Sequence, residues 1–208
     1  MKKILLVVVI IIFITLLLPL AIVWLIGGGG EGQSPIESGK VSVYVSEEDC
    51  VKDMDINEYL KCVVAAEMPA DFEEEALKAQ AVAARTYLYS HIAEKDKGNI
   101  AESHNGAVIC TDSTHCQAYI SEDKRRESWG AGADENWNKI STAVDETTGQ
   151  IMTYNDEIIS AVFHSTSSGM TESAVDVWGA DVPYLQSVAS TGDKESPKYH
   201  SELTLSEQ

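Results

Sequence analysis

The chain begins with an unbroken apolar run, Ile4 to Ile26, which is 23 residues long and carries no charge. At about 1.5 Å of rise per helical residue it is long enough to span a hydrocarbon layer of roughly 30 Å. Lys2 and Lys3 precede it and the next positive charge is Lys40. The positive-inside rule then places residues 1–3 in the cytoplasm and everything after residue 26 outside. A cleaved signal peptide has a shorter apolar core of roughly 7–15 residues, so the length favours an uncleaved anchor at the cell membrane. Residues 27–40 carry Gly27 to Gly30, Ser34 and Pro35 and read as a flexible tether. That leaves residues 41–208 as one extracytoplasmic domain.

In that domain Val41, Val43 and Val45 alternate with polar residues and predict a strand. Asp55 followed by Glu58 reads as a capping box, so a helix should start near Ile56. Tyr59, Leu60, Val63 and Val64 fall at helical spacing. Pro69 biases Met68 away from helical geometry, so the helix should end near Glu67. Leu77, Ala81, Ala84, Leu88 and Ile92 predict a second, alanine-rich helix from about 73 to 95, closed by Gly98. A further helix is expected over 138–148. Residues 150–154 and 158–163 flank Asn155-Asp156 and read as a hairpin. The expected class is α+β: a helical layer with the long helix packed on a small, mostly antiparallel sheet, preceded by one transmembrane helix.

Charge narrows the partners. Setting aside Lys2 and Lys3, 13 of the 15 Lys and Arg remain against all 33 Asp and Glu. So acidic a domain argues against nucleic acid and against an anionic lipid surface. It is compatible with a substrate that is neutral along its reacting backbone, such as a glycan.

Two stretches carry candidate chemistry. Glu67 stands in the last turn of its helix beside apolar neighbours. The helix dipole and partial desolvation both disfavour its anion there, which suits a general acid. Lys78 and Arg85, seven residues apart, share one face of the next helix. The second stretch is His104, Cys110, His115 and Cys116, spaced His-x5-Cys-x4-His-Cys. Four nitrogen and sulfur groups suit tetrahedral zinc, and four protein ligands would make the site structural, with no open position for a hydrolase. Disulfides Cys110–Cys116 and Cys50–Cys62 are the competing reading. Trp129 and Trp137 either stack on sugar rings or anchor their loop. The Ser/Thr-rich segment His164 to Glu172 follows a predicted strand and offers hydroxyls to a ligand, Thr166 and Ser167 among them.

Ala66-Glu67-Met68-Pro69, followed by Glu75-Ala76-Leu77-Lys78-Ala79-Gln80-Ala81-Val82-Ala83-Ala84-Arg85-Thr86-Tyr87, closely resembles the stage II sporulation protein D family. His164 to Glu172, Val177-Trp178-Gly179 and Pro183 to Val188 continue the likeness, which runs over about residues 41–200. The resemblance implies a membrane-anchored peptidoglycan lytic transglycosylase that acts during forespore engulfment. It would cleave the β-1,4 bond between N-acetylmuramic acid and N-acetylglucosamine in peptide-stripped glycan strands and leave 1,6-anhydro ends.

In that family the glutamate of this motif, here Glu67, is the catalytic acid. Lys78, Arg85, Thr171, Tyr184 and Asp193 fall on the family's functional pattern, and Gln186 stands where many members have lysine. Some clostridial members carry zinc on similar His and Cys positions; the chemistry itself requires no cofactor. Stage II sporulation proteins P and M are the implied partners. The family's chains usually continue beyond this point with Gly-His-Gly and Gly-Met-Ser-Gln motifs, so the domain reads as C-terminally incomplete. The alternative is a non-catalytic glycan-binding or scaffolding module of the same fold.

Overall fold

A computed structural model describes residues 39–196, 199, 200 and 202. The expected anchor, 4–26, lies outside the described residues, as do the cytoplasmic stub and nearly all of the tether. Among the described residues no helix is long and apolar enough to cross a membrane.

Strand β1 (Lys40–Val45) buries Val41, Val43 and Val45 on one face, as its alternation requires. The chain turns at 46–49, with Asp49 at φ 50°, and returns as β2 (Cys50–Asp55). Helix α1 (Ile56–Glu67) follows immediately. Asp55 caps it by accepting the N–H groups of Asn57 and Glu58 at 2.9 and 3.1 Å. The Glu58 carboxylate pairs with Lys61. Helix α1 stops where Met68 turns extended ahead of Pro69, at φ −133° and ψ 134°.

Helix α2 (Glu74–Asp96) buries Leu77, Ala81, Ala84, Leu88 and Ile92. A 3-10 turn (Glu102–His104) and β3 (Ile109–Cys110) come next. They are followed by α3 (Glu122–Trp129) and α4 (Ala133–Glu146), and by a small antiparallel pair, β4 (Thr153–Tyr154) and β5 (Glu157–Ile158). Asn155 and Asp156, both at positive φ, make the turn between them, as their sequence predicts. The short α5 (Ala174–Trp178) is the last α-helix among the described residues, and a 3-10 helix (Thr191–Glu195) follows it.

The expected α+β class holds, with two corrections. The first concerns the sheet. Its order is β2-β1-β3, and β1 pairs with β3 in parallel, Val43 opposite Ile109 and Tyr44 opposite Cys110. The connection from β1 to β3 contains both long helices, and a crossover of that kind returns the chain in the same direction. The second correction is α3, which the apolar pattern did not signal because it buries no residue. It is held by Arg126, which pairs with Glu122 at 2.5 Å and with Asp134 at 2.7 Å. Helix α4 likewise starts five residues earlier than expected, on a polar first turn.

Helices α1, α2 and α4 pack against one another and share their core with β1. Leu60, Val63, Leu77, Leu88, Ile140 and Val144 are fully buried within it. Each buried aliphatic side chain of this kind contributes about 1.5–3 kcal/mol. This core determines where the end of α1 and the loop before α3 meet.

Candidate functional site

Glu67 is the last residue of α1. Val63, Val64 and Ala65 before it are completely buried, whereas Glu67 is half-buried at the rim of the core. Its Oε1 accepts the backbone N–H of Ala118 at 2.7 Å. An anion at a helix C-terminus faces the negative end of the dipole, and here a peptide donor from a different loop supplies the compensating contact. No side-chain pattern announces a backbone donor, so sequence reasoning missed Ala118.

That loop carries the four expected metal ligands. His104 comes from the 3-10 turn and Cys110 from β3, while His115 and Cys116 follow a tight turn at Asp112. Asp112 Oδ1 accepts both the N–H and the hydroxyl of Thr114, and its carbonyl accepts Cys116 N–H at 2.7 Å. The four ligand atoms lie within 4.8 Å of one another. His104 Nε2 is 3.0 Å from His115 Nδ1 and 3.2 Å from Cys116 Sγ, and Cys110 Sγ is 3.6 Å from His115 Nδ1. Zinc with its usual bond lengths sets such atoms about 3.3–3.8 Å apart at the corners of a tetrahedron; the separations here bracket that range, so the donor set can close on that ion with small side-chain shifts.

Burial acts on two of the ligands in opposite senses. Burial, then the neighbouring His115, holds the His104 imidazole below its ordinary value, in the neutral form that ligates metals. The His104 ring also hydrogen-bonds the Val108 backbone, which orients it. Burial pushes the Cys116 thiol up to about 12, a tendency that a bound cation reverses. All four cysteines are free thiols: the alternative Cys110–Cys116 and Cys50–Cys62 bridges are not formed.

A third feature is a cleft of about 610 Å³ built by residues 162–188, with Phe163, Thr166, Ser167, Thr171, Trp178 and Tyr184 in its walls. Residues 169–174 and 185–190 run alongside each other through backbone hydrogen bonds, Thr171 N–H to Val188 O at 2.8 Å among them. The Thr171 hydroxyl accepts Val188 N–H at 2.9 Å. Asp193 lies outside the lining and holds the loop: its Oδ2 accepts both the N–H and the hydroxyl of Ser167. Those bonds, the hydroxyl first, keep the Asp193 carboxyl below its ordinary value. The Tyr184 hydroxyl accepts Ser160 N–H at 3.0 Å. Trp178, 60 % exposed, is a wall residue that no predicted role had singled out.

The family model described as Stage II sporulation protein (SpoIID) matches residues 44–154. The chain belongs to the stage II sporulation protein D family. It is 39% identical over 177 residues to the Stage II sporulation protein D of Bacillus subtilis (strain 168), covering 84% of this chain and 50% of that protein. It is 40% identical over 174 residues to the Stage II sporulation protein D of Bacillus amyloliquefaciens, covering 84% and 48%. It is also 36% identical over 149 residues to the Amidase enhancer of Bacillus subtilis (strain 168), covering 72% of this chain and 17% of that protein. The chain thus spans about half the length of the two sporulation proteins.

Within the stage II sporulation protein D region the expected site residues separate into three groups. Glu67 joins the metal loop. Thr166, Ser167, Thr171 and Tyr184 line the 162–188 cleft, with Asp193 bracing it, and Glu67 is not among that cleft's walls. Lys78 and Arg85, expected as substrate-positioning groups, face the end of α4 and stand apart from both. Lys78 is ion-paired to Glu74, Glu75 and Glu146 at 2.8, 3.0 and 2.7 Å. Arg85 is 1 % exposed and gives its donors to the Thr147 and Val144 carbonyls and to Asn57. A guanidinium so enclosed is a structural tie between helices.

Trp129 and Trp137 resolve in favour of anchoring. Trp137 is buried, the two rings lie 6.4 Å apart, and Arg125 and Arg126 cover them at 4.9 and 5.6 Å.

Proposed function

We propose that this chain is the glycan-cleaving part of a peptidoglycan lytic transglycosylase, with Glu67 as its single acid and base. The family is one of sporulation proteins, and the likeness to an Amidase enhancer agrees with a cell-wall role. The observation that carries the reading is Glu67 itself, a half-exposed carboxylate at a helix end with one oxygen held by a peptide donor.

The chemistry follows from one carboxyl group. Protonated Glu67 gives its proton to the glycosidic oxygen between N-acetylmuramic acid and N-acetylglucosamine as the bond to C1 breaks. The resulting carboxylate accepts the proton of the muramic C6 hydroxyl, whose oxygen closes on C1. The products are a free 4-hydroxyl and a 1,6-anhydro end. Glycosidases ordinarily need a second carboxylate to activate water or form the covalent intermediate. An internal nucleophile removes that need, so one carboxyl group can suffice. Thr166, Ser167, Thr171 and Tyr184 would seat the strand in their cleft. Zinc on His104, Cys110, His115 and Cys116 would be structural, holding a loop with little apolar content.

The setting we infer is the outer face of a membrane, reached through the apolar run 4–26, during engulfment. Peptide-stripped strands would come from an amidase such as stage II sporulation protein P, with stage II sporulation protein M as recruiting partner. A second reading, a glycan-binding module, draws on one observation: the aromatic cleft forms without Glu67 in its walls.

Digestion of peptide-free glycan strands separates the two. Anhydro-muramic ends detected by mass spectrometry, and absent with Glu67→Gln, are expected. Reducing ends in their place would mean attack by water and would sink the mechanism. Strand binding with no cleavage, unchanged by Glu67→Gln, would favour the binding module.

A further inference from the structure

The expected metal loop and the expected acid are joined through one peptide. Ala118, whose N–H is 2.7 Å from Glu67 Oε1, follows the ligand Cys116 by two residues. Two residues of chain reach at most about 7 Å, so the position of the Ala118 N–H follows that of Cys116 closely. Beyond Ala118 the chain is pinned to α1: Tyr119 stacks on Tyr59 at 5.9 Å, and Ile120 N–H reaches the Cys62 carbonyl at 3.4 Å.

On the other side of Ala118 the chain is held by the Asp112 turn, whose carbonyl accepts Cys116 N–H at 2.7 Å, and by Cys116 at the edge of the core. Residues 112–115 are exposed and bury no apolar surface. Gln117, between the ligand and the donor, is only 5 % exposed, yet neither its Oε1 nor its Nε2 has a hydrogen-bond partner. Burying an unpaired amide is unfavourable. Gln117 is therefore held where its own amide is unpaired, and a tie at Cys116 would offset that penalty.

We propose that Ala118 is a positioning residue for Glu67, and that metal occupancy of the four-ligand loop sets whether its N–H holds the carboxylate in place. This rests on the reading of Glu67 as the acid. Closing the site on His104, Cys110, His115 and Cys116 fixes Cys116, which fixes the Ala118 peptide and with it the carboxylate. With the site open, the loop relaxes at Gln117 and Glu67 loses its donor. A displacement of about 1 Å at a reacting group can cost on the order of a hundredfold in rate, so a metal with no part in the chemistry would still govern turnover.

The test is amide hydrogen exchange on the full chain in detergent, read by NMR at Ala118 and at Leu88 in the core. Three samples are compared: zinc-loaded, chelator-stripped, and stripped then reloaded with zinc. Glu67→Ala is measured in the zinc-loaded form, and cleavage of peptide-free strands is followed in parallel. The expected result is at least tenfold faster exchange at Ala118 on stripping, recovery on reloading, and little change at Leu88. Faster exchange at Ala118 alone is expected in zinc-loaded Glu67→Ala.

Unchanged Ala118 exchange on stripping would overturn the proposal. So would equal loss of protection at Leu88, since the metal would then hold the whole fold and not this contact. If cleavage persists undiminished in stripped protein, positioning fails while the transglycosylase reading stands. If the exchange pattern appears but no strand is cut with zinc bound, the mechanical link stands and the enzymatic reading fails.

Discussion

Arg85 on α2 donates to the carbonyl of Thr147, at the end of α4, across 2.6 Å and 62 residues of sequence. The Val144 carbonyl and the Asn57 side chain take its remaining reach at 3.0 and 3.2 Å. One buried guanidinium thus satisfies the last carbonyls of α4 and ties three helices together. Replacing it with Met removes all of these bonds at once, although Gln150 N–H still reaches the Thr147 carbonyl and the Thr147 hydroxyl the Val144 carbonyl. We expect Arg85→Met to lower unfolding free energy by about 3–5 kcal/mol in denaturant titration. Lys should rescue little, because it lacks the fork. Unchanged stability with lost strand binding would instead make Arg85 a substrate contact.

Metal removal should be visible without any enzymology. One equivalent of Cd2+ should give a thiolate charge-transfer band that Cys116→Ala weakens and Cys110→Ala, Cys116→Ala together abolish. Zinc at a thousandfold excess over its Kd should stabilise the protein by about 4 kcal/mol, lost with chelator. A stoichiometry of zero, or a band retained in Cys110→Ala, Cys116→Ala protein, would remove the site.

Asp193 predicts an acid-sensitive loop. Its carboxyl is held below the ordinary value of 3.8 by the hydroxyl of Ser167 first, then by Ser190. A depressed folded value means the contact contributes fully above 3.8 and is lost as the pH falls through the lower folded value. The Ser167 amide resonance should therefore titrate with a midpoint below 3.8 and stop titrating in Asp193→Asn. A midpoint at or above 3.8 would contradict the contact.

Cys62 should resist modification while the protein is folded. It is 8 % exposed, and burial pushes its thiol up to about 11. Thiolate is the reacting form, so iodoacetamide at neutral pH should label Cys50 and leave Cys62 untouched until denaturant is added. Equal rates at the two thiols would mean that α1 opens readily.

The cap at Asp55 is a local feature with a local test. Asp55→Ala removes the acceptor for two N–H groups and should cost about 1 kcal/mol, whereas Asp55→Asn should cost less. Thermal melts of the two variants distinguish them.

Local periodicity was enough to place α1, α2 and the turn at Asn155-Asp156, because caps, Pro69 and apolar spacing act over a few residues. The same short-range chemistry grouped His104, Cys110, His115 and Cys116, whose spacing brings them within reach of one ion. Family motifs marked Glu67 without telling what it touches. Helix α3 buries no residue fully and left no apolar periodicity, since charge pairs along its surface and Trp129 at its end hold it.

The tertiary structure alone decided the remainder. It turned β3 parallel to β1, buried Arg85, occupied Lys78 with three carboxylates, and brought the Ala118 N–H to Glu67 from 51 residues away. Those outcomes depend on which backbone groups meet across the core. Backbone donors and acceptors are the same at every position, so no residue type encodes their partners. Only packing assigns them.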